Sequence, residues 1–556
     1  MNQVVQVVQV VQFRPQQRDS RSAVLDHAAN ELIFAVVGHV GSGTSEVAKT
    51  LESLLKTASG GLPAHDVQVF KASDLISEWA VTVGKEPPAL VDGKKTLQIV
   101  ETFQDLGDDM RKDTADFAAV ARAFAVRIRK RRAERLGLPV NPNEPIVPDG
   151  SPRAYILDSI RHPAEVELLR HIYQDAFVLV GVVCEESTRL KRVTSKYPDA
   201  GKAKAIEFMR RDAKAVQKHG QRVSDAFHLS DFFLDNTEDR YRDDGSANPD
   251  WDVPDRLSRL VKIIRHAEIV RPAQAETAMH HARAAALRSA CLSRQVGAAL
   301  LDRTGNVIAT GCNEVPRAGG GVYGESFDKD DADDHRCAYR RVEGHTKPYC
   351  SNSLEQTEIV NVLLQQVAEI APLDEEQRAK LQASFRSGAI GSLLEFSRAV
   401  HAEMDAILTA GRSGTTTVGT RLFVTTFPCH YCARHIVSAG IDEVQYIEPY
   451  PKSQALDLHS DSIQVTATKW TVPSHFSLTR LVTSEAPTRS RPKVLFRPFT
   501  GVAPRLYGKA FAKDRELKDG KSGELTVGQP DWGSPWHLRR SSYAQLEAEL
   551  AEGTDV

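Results

Sequence analysis

At 556 residues, 41% apolar and 26% charged with a net charge of −2, the chain has the composition of a soluble globular protein too long for one ordinary core. The near-neutral balance gives no global reason to expect a nucleic-acid or membrane binder, and no apolar run reaches the length needed to span a bilayer. Seven cysteines, an odd and sparse set, argue against a disulfide scaffold and for a reducing cytoplasm.

The start, MNQVVQVVQVVQF, lacks the basic flank and cleavage site of a signal peptide, and residues 1–27 read as a low-complexity tail. Residues 28–268 then alternate strands with helices, which implies a parallel sheet covered on both faces. Leu32–Val37 is a buried-strand run, followed by GHVGSGTS and a helix; Tyr155–Asp158 and Phe177–Cys184 are further strands. The basic run Arg127–Arg135 reads as a solvated helix face. Strand, glycine turn and helix start form an arrangement in which backbone N–H groups cradle a phosphate. Gly38, Gly41, Gly43, Thr44 and Ser45 are therefore the candidate nucleotide-binding residues. The pattern G-x-x-x-x-G-K-[ST] is met at Gly38, Gly43 and Ser45, but Thr44 stands where the lysine belongs, which weighs against phosphoryl transfer. The segment resembles the P-loop nucleotide kinases, with Asp158 as the acid ending their third strand, Arg189 and Arg192 as lid arginines and Phe227–Asn236 as the closing strand. That resemblance implies a three-layer domain holding a regulatory nucleoside triphosphate with Mg2+; an active NTPase or nucleotide kinase is the rival reading, and a plain turn at Gly43 a third.

A second domain is expected over 269–512, followed by a polar tail, 513–556. It opens with an alanine-rich helix, Ala273–Leu292, and a β-hairpin of Val296–Leu301 and Val307–Asn313 about the turn Asp302–Asn306. Two motifs follow. In HAEMDAILTAG, His401 and Glu403 are two apart and reach one site only if a helix begins there. In FVTTFPCHYCARHIVSAG, a strand ends at Pro428 and a helix begins at Cys429, which sets Cys429 and Cys432 on one helical face at a terminus that favours thiolates. One imidazole and two thiolates make a tetrahedral Zn2+ site with an open fourth position, a catalytic arrangement. H-x-E with P-C-x-x-C is the known signature of zinc nucleobase deaminases. In that chemistry Glu403 would carry the water proton to ring N3 and help the ammonia leave.

Over Arg271–Ala512 the sequence resembles the deoxycytidylate deaminases, whose fold is an α/β/α sandwich of the cytidine deaminase type. ALRSACLSRQVGAAL and TGCNEVP look like that family's first helix, first strand and substrate turn. The resemblance implies substrate contacts by Asn313 and, near the sugar or phosphate, Arg294. A kinase-like domain fused ahead of such a deaminase resembles the bacterial anti-phage deoxycytidine nucleotide deaminases. It implies a cytoplasmic homo-oligomer that converts dCTP and dCMP to uracil nucleotides and depletes a DNA precursor, in some members under an inhibitory small RNA. Val494–Phe511 reads as a segment closing over the nucleotide, as an oligomer contact or as a packed β-edge. His335, Cys337, His345 and Cys350 are a candidate second, structural metal set, with a polar loop as the alternative. A tRNA, mRNA or DNA editing deaminase, and a nucleotide-sensing NTPase, are the competing functions.

Overall fold

The computed structural model describes residues 19–526 apart from 59–62, 141–144, 199–200, 325–335, 340–343, 476–491 and scattered single or paired positions, together with the short antiparallel pair Gln12–Phe13 and Thr554–Asp555. The chain divides into two compact units, residues 1–271 with 500–556, and residues 272–499.

The first unit is built on the parallel strands β1 (Glu31–Val37), β2 (Asp66–Lys71), β3 (Arg153–Ile160), β4 (Phe177–Val183) and β5 (Phe232–Asp235), in the order β2-β3-β1-β4-β5. Every residue of β1, β3 and β4 is buried, as strands covered by helices on both faces require. Helix α1 (Thr44–Leu55) leaves β1 through the loop 38–43 and buries Val47, Ala48, Leu51 and Leu55, a helical stripe. The outer edge beyond β5 is Gly501–Val502, paired antiparallel with Phe232 and Phe233. The segment 500–512, grouped by sequence with the second domain, thus belongs to the first sheet, and Val502 and Leu506 enter its core. Ser20–Asp26, inside the stretch read as tail, is a helix capped by Asp19. The basic run is no simple solvated face either: Arg132 is buried against Glu31 and Arg135 pairs with Asp66, because a carboxylate buried at the start of β1 needs a cationic partner.

The second unit holds the strands β6 (Gly297–Leu301), β7 (Val307–Cys312), β8 (Arg421–Thr426), β9 (Glu443–Glu448), β10 (Ile463–Gln464) and β11 (Val494–Pro498), in the order β10-β11-β9-β8-β6-β7. β8 to β11 run parallel and β6–β7 is the expected antiparallel hairpin. The alanine-rich helix is shorter than the sequence suggests and spans Gln274–Ala286. Beyond it Ser289 Oγ donates to Asn313 O and the Ala290 amide donates to Glu314, so side-chain bonds to the hairpin's exit replace further helical turns. Two glycines set the helix-to-sheet spacing. A Cβ on Gly297 would lie 1.9 Å from Ala282 O, and one on Gly311 would lie 2.2 Å from Ala402 O. Gly311 therefore presses β7 onto the helix Ala402–Arg412, whose first turn carries His401 and Glu403. No described helix is long and apolar enough to cross a membrane.

Candidate active site

His401 is the N-cap residue of Ala402–Arg412, with extended backbone (φ −74°, ψ 153°), and Cys429 caps His430–Ser438 in the same way (φ −70°, ψ 167°). Both helices start where the motif spacing requires. Phe427–Tyr446 and Phe427–Phe496 ring contacts and the bond from Ser453 Oγ to Pro428 O hold the strand end that delivers Cys429. His401 Nδ1 lies 3.3 Å from Cys429 Sγ and 3.4 Å from Cys432 Sγ. Tetrahedral zinc, with Zn–S about 2.3 Å and Zn–N about 2.0 Å, separates such ligands by about 3.5 Å. The donor set and its spacing fit zinc. A hydrogen bond from Cys432 pulls the Cys429 thiol down to about 4, while the same bond and burial push Cys432 upward. The bond to Cys429 raises His401 to about 9. Of the three, only the Cys429 thiol is held as an anion; Cys432 and His401 keep protons that zinc binding would release.

Glu403 is 3% exposed and faces the same cluster; burial, then the charge on Cys429, raises its carboxyl to about 7. Beside it opens a cavity of about 350 Å³ lined by His401, Glu403, Cys429, Asn313, Phe427 and Tyr450. Three cationic side chains, Arg294, Arg398 and Lys452, also line it. Arg294 is half-exposed, pairs with Glu448 at 2.8 Å and lies over the Tyr450 ring. Asn313 is in the wall, but its amide is engaged: Oδ1 accepts from the Val296 amide at 2.6 Å and Nδ2 donates to Arg294 O at 2.7 Å. It shapes the turn that carries Arg294. Arg398, Phe427, Tyr450 and Lys452 were not anticipated; Arg398 and Phe427 flank the two motifs closely enough to have been suspected, whereas Tyr450 and Lys452 follow β9 with no local signal.

Among the described residues, His401, Cys429 and Cys432 form a three-ligand group, and no such group includes Cys337 or Cys350. Cys337 accepts from the Ser351 amide and Cys350 lies 3.9 Å from Ser293 Oγ, while His335 and His345 of the candidate second set lie outside the described residues.

The glycine loop sits at the carboxyl end of the central strand β1, where open α/β sheets bind ligands. Gly41 and Gly43 have φ of +84° and +86°. Ser45 Oγ donates to Asp158 Oδ2 at 2.7 Å, and Asn236 Nδ2 donates to Ser42 O. Arg189 packs on the loop, its carbonyl 2.8 Å from where a Gly41 Cβ would be. Arg192 instead ties Asn236 O, Glu238 O and Asp239 together, a structural duty.

Residues 272–448 match the family model of the cytidine and deoxycytidylate deaminase zinc-binding region. The deoxycytidylate deaminase of Enterobacteria phage T2 is 29% identical over 181 residues, 33% of this chain and 83% of that protein. ComE operon protein 2 of Bacillus subtilis is 45% identical over 53 residues, 10% of this chain and 28% of that protein. The apo crystal structure of dCMP deaminase from cyanophage S-TIM5 aligns at 18% identity with a TM-score of 0.19, covering 34% of this chain and 94% of that one. The C-terminal part of the chain is a zinc-binding deaminase domain of the cytidine and deoxycytidylate type.

Proposed function

We propose that this deaminase domain converts deoxycytidine nucleotides, dCTP and dCMP, to deoxyuridine nucleotides and ammonia. The observation that carries the reading is the convergence of His401, Cys429 and Cys432 beside a buried Glu403 on a nucleotide-sized cavity. His401, Cys429 and Cys432 would hold the metal. When bound, zinc supplies an open coordination position and lowers the pKa of water there. Glu403 takes a proton from water and delivers it to N3 of the cytosine, which makes C4 electrophilic. After oxygen adds at C4, the Glu403 carboxylate takes the proton of the new C4 hydroxyl and passes it to the amino nitrogen; as the C4=O bond forms, the C4–N4 bond breaks and ammonia leaves. Phe427 and Tyr450 offer apolar surface to the base. Asn313 sets the turn carrying Arg294, and Arg294, Arg398 and Lys452 favour a phosphorylated substrate. Three cations suit the charge of a triphosphate as well as a monophosphate.

In this reading the loop of Gly38, Gly41, Gly43, Thr44 and Ser45 binds the phosphates of a regulatory nucleoside triphosphate with Mg2+, and the protein acts as a homo-oligomer in the cytoplasm that lowers dCTP during viral infection. The parallel sheet with a glycine turn at its central strand supports nucleotide binding there; Thr44 in place of lysine speaks for regulation over phosphoryl transfer. The deciding assay offers zinc-loaded protein dCTP, dCMP and single-stranded DNA in turn and measures ammonia and uracil products. Turnover of the free nucleotides is expected; turnover confined to the polymer would reassign the domain to base editing.

A further inference from the structure

We infer that Asp212 is a built-in competitor for the anion site of the glycine loop, which a nucleoside triphosphate must displace in order to bind. This inference rests on the proposed reading of that loop as a phosphate cradle, and deepens it with a mode of regulation. Three observations point to an anion at the loop. Gly41 and Gly43 both adopt the left-handed conformation that turns successive amides toward one side. The amides of Gly41, Gly43, Thr44 and Ser45 find no acceptor among the described residues. Ser42 Oγ, in the same loop, is buried without a hydrogen-bond partner, its residue 1% exposed.

Next to these groups the chain supplies an anion of its own. Asp212 lies on the helix Gly201–Ala213, which follows Glu186–Lys196. Its Oδ2 accepts from the Val40 amide at 2.7 Å, and its Oδ1 accepts from Arg161 Nη1 at 2.7 Å. Arg161 also donates to Gly38 O, so one guanidinium bridges the loop and the carboxylate. His39 and Arg189 lie within the field of the same carboxylate. The Asp212 side chain is 1% exposed. A carboxylate so buried is tolerable only because these donors surround it. They are also donors that a phosphate would use, and no lysine stands at Thr44 to tip the contest toward the ligand.

The carrier of Asp212 is folded down onto the loop. Val40 packs against a cluster built by Val193, Phe208 and Met209 of the two helices and Tyr197, which caps the first, and Arg189 presses on Gly41. Releasing Asp212 from Val40 therefore means loosening the contact between these helices and the loop. The affinity seen for a triphosphate is its intrinsic affinity reduced by the fraction of molecules in which the carboxylate has left.

The test titrates full-length, zinc-loaded protein with Mg·ATP and with inorganic triphosphate, comparing wild type with Asp212→Asn and Ser45→Ala by calorimetry. Asp212→Asn, which keeps an acceptor for Val40 and removes the charge, should tighten binding about tenfold or more, whereas Ser45→Ala should weaken it. Equal or weaker binding by Asp212→Asn, with Ser45→Ala still impaired, overturns the competitor and leaves the loop reading standing. Triphosphate binding that is absent, or indifferent to Ser45→Ala, overturns the loop reading and the competitor with it. Hydrogen exchange on the wild type needs no variant to fold: saturating Mg·ATP should speed exchange of the amides of 201–213, and unchanged or slower exchange there counts against displacement.

Discussion

Both units place their candidate chemistry at helix starts, but they use opposite parts of the residue. In the deaminase domain the residues at the helix starts act through side chains: His401 and Cys429 are themselves the N-caps, and Cys432 and Glu403 lie within the first turn. In the first unit, on the proposed reading, the start of Thr44–Leu55 would work through backbone amides, and Gly43 makes no side-chain cap. A side-chain site is written into residue identities at short spacing. A backbone site depends on which remote group comes to face it, here Asp212, 172 positions from Val40.

The largest expected effect separates the two directly. Glu403→Gln should lower deaminase turnover by about 10³-fold or more while zinc content, measured by elemental analysis, stays near one per chain. His401→Ala or Cys432→Ser should lose metal and activity together, and chelation of the wild type should do the same, reversed by added zinc. None of these changes should alter triphosphate binding at the glycine loop; if they did, the division of labour drawn above would fail.

Gly311→Ala probes the support of the side-chain site. A methyl group there meets Ala402 O and the Ala406 amide, both backbone, so strand and helix must part. A loss of about 2–3 kcal/mol in denaturant unfolding is expected, together with weaker zinc retention, since His401 moves with that helix. An unchanged zinc affinity would show that the ligands are held by α-helix capping alone.

Acidification should act on the first unit. Burial, aided by nearby arginines, lowers both His39 and His162 to about 4. The folded form keeps both rings neutral where an unfolded chain takes up protons below about 6.5, so this stability is present above that value and is lost as pH falls toward 4. By pH 4.5 each ring has cost the fold about 2–3 kcal/mol on that arithmetic, and His162→Gln should flatten the dependence in thermal melts recorded across this window.

Arg294→Ala should have the smallest effect, raising KM for dCTP about tenfold with little change in kcat, because a half-exposed, already paired guanidinium adds binding more than transition-state stabilisation. A fall in kcat instead would mean that Arg294 orients the base and not the phosphates.

What the amino-acid sequence determined by itself was whatever is local. The strand runs of β1, β3 and β4, the hairpin, both helix starts at the candidate metal site and the three side chains that converge there all follow from apolar periodicity, turn residues and short spacings. Tertiary structure alone decided what depends on distant segments meeting. Gly501–Val502 completes the first sheet, Asn313 spends its amide on the turn holding Arg294, Arg132 goes inward to Glu31, and the Gln274–Ala286 helix stops early because Ser289 and Ala290 bond the hairpin's exit. The physical reason is the same in each case. A buried polar group must find a partner, and the identity of that partner is a property of the packed chain, not of its neighbours in sequence.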